Sequence, residues 1–353
     1  MAAGLDILTR GDAERREHEM LSPLAAFSDA SVGRLKPEEP DPLRTCYQCD
    51  RDRIIHCKAF RRLSHKTQVF LAPEGDHYRT RLTHTLEVSQ IARSISSALR
   101  LNCDLTEAIA LGHDLGHTPF GHTGEGALSH VMARWRGIDL DSDEGRHLFR
   151  HNEQSVRVVD LLERDGRGLN LSREVVDGIV CHTGSQRAAT LEGRVVAVSD
   201  RIAYVSHDIE DSIRAGLLSE EDLPDAPRAV LGTTSTERIS TMVRDLVRTS
   251  AQAGDIRMSD EVWEAMMELR SWLFAHVYSM SDAKVEEPKA NRLVQELFMY
   301  YIGHLDEVPP EYRLHDSDAP EVQVADYISG ITDRYAIRVF ESLRVPRAWR
   351  RVR

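Results

Sequence analysis

The segment that most limits the fold is LEGRVVAVSDRIAYVSHDIEDSIRA, residues 191–215. It reads as one long helix that is apolar through Val195, Val196, Val198, Ile202, Ala203, Val205 and Ile209. A helix so apolar has to be surrounded by other elements. Yet Asp200, Tyr204, Asp208 and Asp211 recur at spacings of four, four and three, roughly on one face. Carboxylates on a buried helix are costly unless they pair or bind a cation. Ion pairing with Arg194 and Arg201 competes with metal binding for Asp200 and Asp211, and Asp208 is the residue favoured as a metal ligand.

The rest of the chain is helical by the same criteria. Amphipathic patterns predict helices over 52–64, 83–100, 123–136, 151–164, 172–182, 260–280, 289–304 and 320–343. Another, over 104–114, would be capped by Asp104. Ile239, Met242, Val243, Leu246 and Val247 mark one further buried face. With 353 residues, 41% of them hydrophobic and only 6% aromatic, a mainly helical fold with a sizeable core is expected. Residues 1–43, with the Pro-rich KPEEPDPL, read as a loosely ordered segment, 44–220 as the core and 221–353 as a C-terminal helical region.

Composition narrows the function classes. No stretch is long and apolar enough to span a membrane, and the charged N-terminus lacks a signal-peptide core, so a cytoplasmic location is expected. Cys46, Cys49, Cys57, Cys103 and Cys181 make an odd set of five, which fits plain thiols in a reducing compartment. Cys46 and Cys49 form a C-x-x-C without a second pair, so a zinc ribbon is not expected. A net charge of -12 argues against nonspecific nucleic-acid binding by the whole surface. Between Arg44 and Lys66, however, seven basic residues face two acids.

Chemistry concentrates in ALGHDLGHTPFGHTGE, residues 110–125. Its glycines allow sharp turns close to a ligand. His113, Asp114, His117, His122 and Glu125 offer both metal ligands and an acid/base pair. A His-Asp pair alone means little, but His84 in YRTRLTHTLEV and Asp208 supply companions at long range.

In that order, His84, His113-Asp114 and Asp208 resemble the H…HD…D signature of the HD-domain metal-dependent phosphohydrolases. Five further blocks are similar to the deoxyguanosinetriphosphate triphosphohydrolase (dGTPase) family: RDRIIHCKAFRRLSHKTQVF, YRTRLTHTLEV, HDLGHTPFGHTGE, RHNEQS and SDRIAYVSHDIEDSIRAG. DYISGITDRYA resembles that family's last block, so the likeness runs from about residue 44 to about 343. It implies an all-α HD-domain helical bundle with a C-terminal helical extension. The implied activity is hydrolysis of a dNTP to deoxynucleoside and inorganic triphosphate, with one divalent metal ion per site. Mn is favoured among Mn, Mg, Fe, Co and Zn.

By the same resemblance, His84, His113, Asp114 and Asp208 hold the metal. His122 is the acid that protonates the leaving 5′-oxygen, and Glu125 orients it. His117, His151, Arg81 and Arg270 meet phosphates, Gln68 reads the 3′-hydroxyl, and Tyr278 lines the nucleoside pocket. Some relatives carry a tyrosine four residues after the last ligand, where this chain would have Ser212. An allosteric nucleotide, single-stranded DNA and a homo-oligomer, often a hexamer, are the further partners implied. Two other readings use the same features: an HD nucleotidase or phosphodiesterase acting on another nucleotide, and a nucleotide- or DNA-binding regulatory protein with weak activity.

Overall fold

The computed structural model describes residues 6–68, 79–277, 283–315 and 317–346. The fold is all-α: no β-strand occurs among the described residues, and Arg34–Ser172 and Thr67–Thr80 form isolated bridges. Apolar side chains gather into two cores. The first is built from the helices Cys46–His56, Arg81–Ala98, Cys103–Gly112, Arg173–Val180, Leu191–Arg214, Ser235–Ala253 and Asp260–His276. The second joins Gly121–Arg136 to Ala283–Gly303, Pro320–Gly330 and Asp333–Arg344.

This division cuts across the boundary expected near residue 220. The helices Ser235–Ala253 and Asp260–His276 pack with the first core, through Met242, Leu246, Met266 and Leu273. Gly121–Arg136 instead gives Ala127, Leu128 and Val131 to the second. The chain passes between the cores along 113–120, so that Leu115 lies in one and Phe120 in the other. The chemistry-bearing segment is therefore the seam of the molecule.

Helix ends differ from the sequence expectations where side chains cap the backbone. The expected helix 52–64 breaks at Cys57, whose sulfur accepts from the Phe60 amide. Asn102, not Asp104, caps the helix Cys103–Gly112, accepting from the amides of Asp104 and Leu105. The expected 320–343 helix divides at Thr332, which caps the second piece. Residues 1–43 are not loose throughout. A capping box of Thr9 and Asp12 starts the helix Arg10–Met20, and its Glu17 accepts from the Ser28 amide at 2.7 Å and from Asn102 at 3.1 Å. Among the described residues no helix is long and apolar enough to cross a membrane.

Candidate metal and acid/base centre

Four elements carry the donors. The helix Cys103–Gly112 ends at His113, which caps it, and Asp114 follows directly. His84 lies in the first turn of Arg81–Ala98, whose start is fixed by a capping box on Thr80. Asp200 comes from the long helix Leu191–Arg214, and His182 follows the helix Arg173–Val180. Gly116 makes the close approach possible: a Cβ there would run into the backbone of Gln154 and Ser155, on the helix that begins at His151.

His113 is oriented for ligation. Its Nδ1 lies 2.7 Å from the Ala110 carbonyl and must carry the hydrogen, which leaves Nε2 as a lone pair. That Nε2 is buried and has no hydrogen-bond partner. It lies 3.6 Å from an Asp114 oxygen and 3.8 Å from Asp200 Oδ1, and His84 Nε2 lies 3.0 Å from the same Asp200 oxygen. Donors about 2.1 Å from a common ion stand roughly 3 Å apart when adjacent and about 4.2 Å when opposite. The donor set and its spacing fit a divalent cation, so this His/Asp cluster can hold one.

The carboxylate that the long helix brings to this cluster is Asp200, not Asp208. Eight residues on a helix advance about 12 Å, so both can share a face while only one reaches His84. Their surroundings agree. Burial would raise Asp200, but the His84 hydrogen bond and the charges of His113 and His84 hold it well below the usual carboxylate range. Asp208 is pushed well above that range by burial and then by Asp211. With Asp200 as the reference, the position four residues further is Tyr204 rather than Ser212. Tyr204 lines a cavity of about 990 Å³, whereas Ser212 is buried and donates to the Asp208 carbonyl at 2.6 Å.

A second group of donors adjoins the first. His122 Nδ1 lies 2.9 Å from Glu125, and the other Glu125 oxygen is 3.0 Å from His151 Nδ1. Glu125 is driven below the usual range: burial opposes ionisation, but the neighbouring His151 charge and the two imidazole hydrogen bonds outweigh it. His151 stacks on His117 at 4.1 Å between ring centres, and its Nε2 faces His182 Nε2 at 3.2 Å. Burial opposes charge on His151, but Glu125 raises its pKa, while burial and then His113 push His182 down to about 3. His182 Nδ1 lies 2.7 Å from the Ile179 carbonyl and carries its hydrogen there, so its Nε2 accepts and the proton between these two rings resides on His151. Nothing in the sequence singles out His182. A lone histidine after a short helix carries no signal until its ring is seen beside those of His113 and His151.

The expected phosphate and sugar contacts divide in three. Arg81 is buried and donates to Asp114 at 2.6 Å. Gly121 has φ +56, and a Cβ there would meet the Arg81 guanidinium at 3.1 Å, so glycine suits both the turn and the space. A cavity of about 990 Å³ opens beside His122, with Gln68, Tyr204, Phe274 and Arg292 on its wall. Gln68 Oε1 is buried without a hydrogen-bond partner. Arg270 is not on that wall among the described residues; its guanidinium lies 5.1 Å over the Phe274 ring. Tyr278 lies outside the described residues.

Two stretches match known families: residues 81–205 match the HD domain and 256–342 the phosphohydrolase-associated domain. Similar proteins cover nearly the whole chain. A deoxyguanosinetriphosphate triphosphohydrolase-like protein of Caldanaerobacter subterraneus subsp. tengcongensis is 53% identical over 337 residues, spanning 95% of this chain and 96% of its own. One from Clostridium perfringens strain SM101 is 46% identical across 96% of this chain and 98% of its own. One from Brucella suis is 40% identical across 90% and 94%.

Proposed function

The chain belongs to the deoxyguanosinetriphosphate triphosphohydrolase-like family of HD-domain hydrolases, and from that premise we propose that it is a metal-dependent dNTP triphosphohydrolase. It cleaves a dNTP to deoxynucleoside and inorganic triphosphate. His84, His113, Asp114 and Asp200 hold one divalent ion, with Mn favoured for activity. When bound, that ion polarises the α-phosphate and lowers the pKa of water.

The protein's own groups do the rest. His122 protonates the departing 5′-oxygen, because an alkoxide is a poor leaving group. Glu125 orients the ring through their 2.9 Å contact. His151 holds a proton beside Glu125 and stacks on His117, which with Arg81 offers donors to the phosphates. Gln68 Oε1, an acceptor with no partner, suits a sugar hydroxyl on the cavity side. Tyr204 lies four residues past Asp200 on the same cavity wall and takes the sugar-side position.

The observation that carries this reading is the location of His122. It stands between the His/Asp cluster and a cavity of nucleotide size, with its ring 5.1 Å from that of His117. The test is product analysis with each of the four dNTPs and Mn²⁺, alone and in pairwise mixtures. Triphosphate and deoxynucleoside are expected, and activity seen only in mixtures would reveal an activating nucleotide. Orthophosphate or pyrophosphate from metal-loaded protein would overturn the reading in favour of another HD phosphoesterase.

A further inference from the structure

We propose that Asp333 is a positioning residue that holds the turn ahead of His122 and thereby aims the acid. It is the first residue of the helix Asp333–Arg344, far in sequence from the site, and is only 5% exposed. One carboxylate oxygen accepts from the Phe120 amide at 3.1 Å. The other accepts from the Thr67 amide at 2.9 Å and from the Thr67 hydroxyl. A single carboxylate thus ties together two segments, one ending beside Gln68 and the other two residues before His122.

Phe120 needs such a tie. Its φ of 63° and ψ of 25° are left-handed, which is unfavourable for a residue with a side chain. It also stands at the N-cap of Gly121–Arg136 without any side-chain capping bond of its own. The Thr118 hydroxyl braces the turn from within by donating to the Gly121 carbonyl at 2.7 Å, but the Phe120 amide itself is held from outside, by Asp333. Asp333 is suited to hold it. A buried carboxylate is costly unless satisfied, and the bonds that satisfy it come from these two segments. A helix N-terminus also favours the charge.

A second link runs parallel. Lys66 Nζ donates to the Ser329 carbonyl at 2.7 Å and to the His117 carbonyl. Lys66, itself anchored on Ser329, and Asp333 thus hold the two ends of the segment from His117 to Phe120. Removing the Asp333 charge should leave the metal donors where they are, because none of them touches it, while letting His122 wander.

The activity readout rests on the triphosphohydrolase reading above; the exchange readout does not. Asp333→Asn keeps the shape but cannot accept from both segments at once. We expect kcat to fall by about 10- to 100-fold, the usual consequence of misplacing a reacting group by an ångström. Bound Mn²⁺ should remain at the wild-type level. In a His122→Ala background the same change should cost less than about threefold, since the group it aims is gone. Amide hydrogen exchange of a peptide covering 117–123, measured without nucleotide, should speed up. Equal fold-losses in both backgrounds would mean a general structural role, and unchanged exchange would mean that Asp333 does not hold the turn; either result overturns the proposal. If Asp333→Asn does not fold, Asp333→Glu, which displaces the same charge by one methylene, reads both quantities. Wild-type protein that releases no triphosphate defeats the functional reading alone, and the exchange result then decides the Asp333 proposal.

Discussion

The two halves of the helix Leu191–Arg214 show how one sequence pattern can conceal opposite chemistry. Asp200 and Asp208 share a spacing that places both on one face, and each lies on an otherwise apolar helix. Asp200 meets His84 at 3.0 Å and stays ionised beside a ring of imidazoles. Asp208 lies two turns further along, where burial and then the Asp211 charge favour its protonated form. The difference comes from what the neighbouring helices present, not from the helix itself. At the Asp200 end stand His84, His113 and His182; at the Asp208 end Arg79 is already engaged by Glu87, Glu210 and Asp211.

Substitution at both positions is the most direct way to break this contrast. Asp200→Ala should lower Mn²⁺ affinity by more than the roughly 10- to 100-fold typical of an outer partner of a metal ligand, and abolish turnover. Asp208→Asn should bind Mn²⁺ like the wild type. Metal titration of the two variants checks this, and the reverse pattern would restore Asp208 as the ligand. The next effect separates metal from acid. His122→Ala should keep its metal but lose about 10²- to 10⁴-fold in kcat, the range for a general acid. Loss of metal in that variant would place His122 among the ligands instead. A smaller effect compares the positions four residues beyond each carboxylate. Tyr204→Ala should raise KM for a dNTP by about tenfold, which corresponds to roughly 1.4 kcal/mol of binding, while Ser212→Ala should change KM by less than about twofold. Steady-state kinetics with a single dNTP decides between them, and a larger shift at Ser212 would defeat the assignment.

Much of this is legible in the sequence, for identifiable reasons. The dipeptide His113-Asp114, His117, His122 and Glu125 lie within thirteen residues, so chain connectivity alone keeps them together. His84 is legible because it opens a helix beside Arg81, and the structure joins both to Asp114. The choice between Asp200 and Asp208 is not legible, because a helix face records direction and not height. His182 and Asp333 are hidden for a related reason. Each acts through a contact across at least 31 residues, His182 on His151 and Asp333 on Phe120. Which core a helix joins is not legible either: amphipathic faces such as Met242 and Leu246 show that a helix is buried but not against what.

The smallest expected effect concerns the pH dependence of stability, and it examines the Asp208 half of the helix alone. Its folded-state pKa is raised above the ordinary value by burial and by Asp211. Between that ordinary value, about 3.9, and the higher folded one, the native chain keeps a proton that the unfolded chain has released. The unfolded state then binds fewer protons, so this group's contribution is complete at low pH and declines as pH rises through the window. Asparagine copies the protonated acid in shape and charge but has no proton to lose. The difference in Tm between wild type and Asp208→Asn should therefore be smallest near pH 4.5 and should move in favour of the variant towards pH 8. Using the difference cancels the carboxylates that both chains share, including Asp114 and Glu125, which titrate in the opposite sense. A difference that moves in favour of the wild type with rising pH would mean that Asp208 is ionised in the folded protein, and the two ends of the helix would no longer differ in charge.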